Sequence, residues 1–148
     1  MPNGDLQLTT QLLHAGAAAA GTAFIHALFI AAAAAIVRGA DGPARGALRL
    51  VRDTLVLVVL SLWLTVAHGL GIGLWGVMFE RLEIFDDLET ALYFAAASYT
   101  TLGFGDVLAP RPWRLLSGAC GASGLLMFGL SAAFLFEATA KLRLTRPH

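Results

Sequence analysis

The sequence predicts an all-α membrane protein of three spanning helices, with a short helix and an extended return tucked into the membrane between the second and third. Three observations predict it. The 148-residue chain is 57% hydrophobic and only 14% charged, and its mean hydropathy of +0.72 lies well outside the balance of a water-soluble domain. Three apolar runs contain no Asp, Glu, Lys or Arg, and each is long enough to cross a hydrocarbon core of ~30 Å as a helix. Between the last two runs lies a segment too short, and too broken by glycine, to cross as a fourth helix.

The first run, Ala15 to Val37, is rich in alanine, a good helix former that also allows close helix packing. Lipid offers no water to its backbone groups, so a helix is the expected state. Gly39, Gly42 and Pro43 break this span. The connector 38–54 holds Arg38, Arg45, Arg49 and Arg52 against Asp41 and Asp53, and its ALRLVRD stretch reads as helical. The second run is Leu55 to Phe79, in which Gly69, Gly71, Gly73 and Gly76 read as packing positions. The third run is Leu115 to Phe136, and the tail adds Lys141, Arg143 and Arg146.

Charge placement sets the expected topology. Basic residues cluster in the connector and the tail, which puts both in the cytoplasm and the N-terminus outside. The stretch from Glu80 to Glu89, with Glu83, Asp86 and Asp87 against Arg81, then makes the outer side acidic. Arg111 and Arg114 are the local exception. Met1 to Gln11 lack the basic start of a signal peptide, so they read as mature sequence. The formal net charge is +0, which gives no reason to expect a nucleic-acid partner. One cysteine, Cys120, sits in an apolar run. It allows neither a disulfide nor a thiolate metal site within the chain, and reads as a small buried residue.

The segment between the last two spans carries the chemistry. Leu88 to Thr100 reads as a short helix, and TTLGFGD after it has glycine at alternate positions. Non-helical backbone at membrane depth is tolerated only where protein buries it or a watery cavity receives it, so a re-entrant loop is expected. Rings of backbone carbonyls replace the hydration shell of a cation. Pointing successive carbonyls to one axis requires conformations that L residues avoid and glycine accepts. Gly103 and Gly105 meet that need, and the Thr101 hydroxyl can add to the row. Leu102 and Phe104 are expected to point away and wedge the loop against its helix.

TTLGFGD resembles the TVGYGD filter signature of small prokaryotic potassium channels with a two-helix pore, and ALYFAAASYTTLGFGD aligns with their pore loop without gaps. GLLMFGL, with Gly124, Phe128 and Gly129, is similar to their glycine-containing inner helix. The resemblance covers roughly residues 55–140. It implies a homotetramer in the plasma membrane that conducts K+ passively, with no catalytic residues. K+ itself is the permeant ligand, no other cofactor is expected, and the partners are membrane lipid and three further copies. The filter would be Thr101, Leu102, Gly103, Phe104 and Gly105, with K+ at the carbonyls of Thr101 to Phe104. Tyr93, Phe94, Thr100 and Asp106 would support it, and Gly124, Gly129 and Phe136 are gating candidates, with Phe136 facing the pore axis or, in the competing reading, lipid or the second span. The acidic stretch, repeated fourfold, would gather cations at the mouth.

The chain departs from that family at several points. Leu102 and Phe104 replace Val and Tyr, and Tyr93 and Phe94 replace two tryptophans. Ala97 stands where some members carry a glutamate, which leaves Asp106 without that partner, and Pro110 comes one residue late. The organisation expected is an additional N-terminal span with its connector over 1–54, a pore domain over 55–140 and a short basic tail over 141–148.

His26 and His68 sit equally far from the expected outer ends Ala15 and Phe79, so antiparallel spans would bring them together. Ionisable residues inside a membrane are functional candidates by default. A neutral hydrogen-bonded pair, a proton sensor and axial ligation of a haem are the three readings. The alternatives to potassium selectivity are a weakly selective cation channel and a haem protein using those two histidines. A voltage sensor of the Arg-rich type is not expected, because the first span carries no regular series of Arg or Lys at every third position.

Overall fold

The computed structural model describes residues 2–39 and 46–142, with side chains from Leu6 onward in the first helix. The elements in chain order are α1 (Pro2–Gly39), α2 (Gly46–Arg81), α3 (Leu88–Tyr99), a 3-10 turn at Arg111–Trp113 and α4 (Arg114–Lys141). Three of these, α1, α2 and α4, are long and apolar enough to cross a membrane, and the three expected spans lie within them. Among the described residues all regular structure is helical.

The helices run further than the apolar runs. α1 begins at Pro2 rather than near Ala15, and α2 absorbs the ALRLVRD stretch as its own first turns. The expected break at Gly42 and Pro43 lies outside the described residues. Within α2 the Asp53 carboxylate is almost fully buried. It is held by Arg52, whose Nη2 and Nε donate to Oδ1 at 2.7 and 2.9 Å, and by Arg49 at 3.5 Å. Such a carboxylate tolerates burial only while these cations stay with it.

α2 ends without a glycine. Glu83 takes a left-handed φ of 52°, the Glu83 N–H reaches the Glu80 carbonyl at 2.9 Å and the Ile84 N–H reaches that of Phe79 at 3.0 Å. That pair of bonds satisfies the last carbonyls of the helix, and buried Ile84 packs with Phe79 behind it. α3 starts on a side-chain cap instead. The Asp87 carboxylate accepts from the Thr90 N–H and the Thr90 hydroxyl, both at 2.8 Å. These bonds, the backbone one foremost, hold its carboxyl below the ordinary range.

α3 is wedged between α2 and α4. Its seat contains Trp75 and Phe79 from α2, Phe94 and Tyr99 from α3, and Leu116 and Met127 from α4. Two glycines admit it. A Cβ on Gly76 would meet the Leu92 backbone at 3.1 Å, and one on Gly124 would collide with the Tyr99 carbonyl. A second cluster, Ala33, Val37, Leu60 and Ala138, joins α1, α2 and α4 away from α3. Of the four α2 glycines, Gly71 and Gly76 are packing positions within the chain, while Gly69 and Gly73 face open space.

Candidate functional site

The site begins where α3 runs out of partners for its last carbonyls. Thr100 N–H donates to Ala96 O at 3.0 Å, Thr101 N–H to Ser98 O at 2.9 Å and Gly103 N–H to Ala97 O at 3.1 Å. The Thr100 hydroxyl adds a bond to Ala96 O at 2.7 Å. The start of the return is therefore laced to the helix end, using groups that a helix terminus leaves unsatisfied. That end also carries the negative pole of the helix dipole, about half an elementary charge, which favours a cation nearby.

From there φ alternates in sign. Thr101, Gly103 and Gly105 have φ of 60°, 53° and 81°, and the residues between them, Leu102 and Phe104, do not share it. Residues of opposite hand in alternation keep successive peptide planes turned the same way, which lines up their carbonyls. The two glycines were expected to do this. Thr101 was not, since a side chain in the left-handed region costs roughly 1–2 kcal/mol.

All residues from Thr101 to Asp106 are exposed in the single chain. Leu102 is 62% and Phe104 66% exposed, so the expected wedge against the short helix is not made within one chain. The physical reason is the small α3 face behind them. Tyr93, Phe94, Ala97, Ser98, Phe104 and Asp106 line an open cavity of about 220 Å³, and the alanine leaves it unfilled. Asp106 is not bare, however. The Tyr93 hydroxyl donates to its Oδ2 at 2.6 Å, and this bond is the main reason its carboxyl lies below the ordinary range. Phe94 supports the region from inside, its ring 5.4 Å from Phe79 and 4.8 Å from Phe85.

On α4, Gly124 is filled by the Tyr99 carbonyl, whereas Gly129 has nothing beside it. Both lie inside one uninterrupted helix. Phe136 is 77% exposed, so it does not pack on α2 of its own chain. It continues an exposed stripe through Ala122, Leu125, Leu126 and Gly129.

His26 and His68 do meet, with ring centroids 4.4 Å apart in an edge contact. The Nε2 atoms of both lie on the same Ser131 hydroxyl, at 3.0 and 3.1 Å. Rings in mutual contact around one hydroxyl leave no slab for a macrocycle between them, so this geometry does not fit axial ligation of a haem. Ser131 and Tyr99 were not singled out in the sequence. A buried hydroxyl opposite two histidines carries no local pattern.

A family model described as ion channel matches residues 54–141, which takes in most of α2, all of α3, the return and α4. α1 lies outside that match. No curated protein and no solved structure matches the chain.

Proposed function

The chain belongs to the Ion_trans_2 family of ion channels, and on that premise we propose that it conducts potassium passively, as one of four identical subunits around a shared pore. The observation that carries this reading is the alternating backbone at Thr101, Gly103 and Gly105, laced to the carbonyl end of α3. Four such strands about an axis present stacked rings of carbonyls in place of a hydration shell. Thr101, Leu102, Gly103 and Phe104 supply the ion sites. Leu102 and Phe104, exposed in one protomer, gain their cover from neighbouring copies.

In this reading α3 and the return re-enter the membrane from the outside, and the acidic turn from Glu80 to Glu89 rims the outer mouth. The plasma membrane holds the tetramer with the α1–α2 connector and the C-terminus in the cytoplasm. α4 lines the inner path, Gly129 is its free bending point, and Phe136 is placed to narrow the inner mouth as a ring of four. Residues 1–54 form an added helix and connector on a pore domain over 55–140, and 141–148 are a short basic tail.

A weakly selective cation pore is a second reading, favoured by the cavity behind Phe104 and Ala97, since a loosely backed filter can adapt to a smaller ion. One experiment separates the two. Purified protein in planar bilayers, with opposed mixtures of potassium and sodium of equal total concentration on the two sides, should reverse near the potassium equilibrium potential. A reversal near zero establishes the weakly selective pore, and absence of current from a verified tetramer overturns conduction itself.

A further inference from the structure

Where α1 crosses the pore helices, four elements each place one polar side chain at a single point. His26 of α1 and Tyr99 of α3 are fully buried, and His68 of α2 and Ser131 of α4 nearly so. The His26 and His68 Nε2 atoms share the Ser131 hydroxyl, and the other His68 nitrogen lies 3.4 Å from the Tyr99 hydroxyl. Phe128 stacks flat on His68 at 4.0 Å. The Nδ1 atom of His26 is buried with no hydrogen-bond partner among the described residues.

Counting hydrogens shows what this chain can do. A serine hydroxyl has one proton to give, so at least one of the two imidazoles must donate to it. When His26 donates to Ser131, Ser131 donates to His68, and the remaining His68 N–H donates to Tyr99. In that order the open nitrogen of His26 is an unused lone pair inside the membrane. In that order it is the one imidazole nitrogen of the cluster left free for an added proton.

We propose that these four residues form a proton-binding site that takes up one proton between its two histidines and thereby loosens α1 from α2 and α4. The titratable groups facing it are His26 from α1, His68 from α2, Tyr99 from α3 and, beyond Tyr99, Cys120 from α4. The apolar runs Ala15 to Val37, Leu55 to Phe79 and Leu115 to Phe136 that surround it contain no carboxylate. An added charge is therefore unpaired in a buried junction, a costly state that local opening to solvent relieves. Two touching imidazolium rings repel, so a second proton is refused. The loosened arrangement binds the proton better than the closed one, and by linkage acid favours it. Ser131 lies just past Gly129 on α4, so its release frees the part of that helix leading to Phe136, and acid raises conduction. That last link rests on the channel reading above.

The test uses the full chain in lipid nanodiscs. Nitrogen-15 NMR of labelled histidine between about pH 4 and pH 7 should show His26 and His68 sharing one proton uptake. Hydrogen exchange of α1 amides, corrected for the intrinsic effect of pH, should step up over the same range. His26→Gln and His68→Gln should each abolish the step. Where either fails to assemble, Ser131→Ala keeps both rings and should split the joint titration in two. Two independent titrations in the unaltered chain, or an exchange step that survives these substitutions, overturns the site. Potassium flux in vesicles should rise up to about tenfold on acidification, since one unit of proton-affinity difference is a factor of about ten. Flux whose acid response survives His26→Gln and His68→Gln also overturns it. Absence of flux at every pH, with shared titration and loosening intact, upholds the proton site and removes the channel reading.

Discussion

The return after α3 and the joint beneath α1 are both built from polar groups in an apolar setting, yet they are specified in opposite ways. At the return the groups are backbone, and their aim is set by the hand of three neighbouring residues, Thr101, Gly103 and Gly105. At the joint they are side chains, brought from four helices by packing alone. A backbone device is written in a few contiguous letters and fails when one conformation is lost. A side-chain device is scattered through the chain, and it degrades by steps.

The sharpest way to break that contrast is at Gly103. With φ at 53°, a Cβ there resists the conformation by roughly 1 kcal/mol or more in each copy of the chain. Gly103→Ala should abolish selective current while the protein still assembles, and bilayer recording of a verified tetramer checks it. Unchanged potassium selectivity would remove the filter assignment.

Phe136→Ser probes the α4 stripe at some distance from both regions. A hydrophobic constriction closes by excluding water, so the substitution should raise open probability severalfold and leave the reversal potential in place. Single-channel recording reads both quantities. Wild-type gating in that variant would place the constriction elsewhere.

Tyr93→Phe is milder, because it removes one bond outside the backbone pattern. The Tyr93 hydroxyl lowers the Asp106 carboxyl, so its support is complete above the ordinary carboxyl value of about 4 and is lost as acid titrates Asp106 below it. The variant should show reduced selectivity at neutral pH and little further change in acid, whereas the unaltered chain should lose selectivity only in acid. Reversal potentials against external pH decide the matter.

The smallest effect is expected at Glu83, where a side chain occupies a left-handed position that glycine fills more cheaply. Glu83→Gly should stabilise the fold by about 1 kcal/mol, read as a modest rise in thermal midpoint with conduction unchanged.

Much of this fold was legible because lipid forces it. Uncharged runs of sufficient length must be helices, and Leu55 to Phe79 and Leu115 to Phe136 lie within α2 and α4. The short helix was equally visible, from its length and the glycines after it. What escaped was whatever lacks a local mark. The stop of α2 uses Glu83 where a glycine would have announced it, and the continuation of α1 to Pro2 crosses polar residues that no hydropathy pattern favours. At the site, Gly103 and Gly105 declared their conformations, but Thr101 did not, since threonine seldom adopts one of that hand. The fit of Tyr99 against Gly124 and Gly71 depends on helix rotation, which composition does not encode. The meeting of His26 and His68 followed from counting along antiparallel spans, while Ser131 between them had no such arithmetic.

α1 is packed on α2 through Gly21, whose Cβ would come within 2.9 Å of Leu74, and meets α4 in the cluster of Ala33, Val37 and Ala138, and it is joined to them by the chain itself. A separate helical subunit in that seat would come and go with its own abundance, and pores would carry differing numbers of it. Covalent attachment fixes the ratio at one per pore subunit and keeps the effective concentration high however strongly the contact is weakened. The contact between α1 and its neighbours can therefore be marginal without the helix ever being lost, which lets a single proton shift the balance and lets it shift back when the proton leaves.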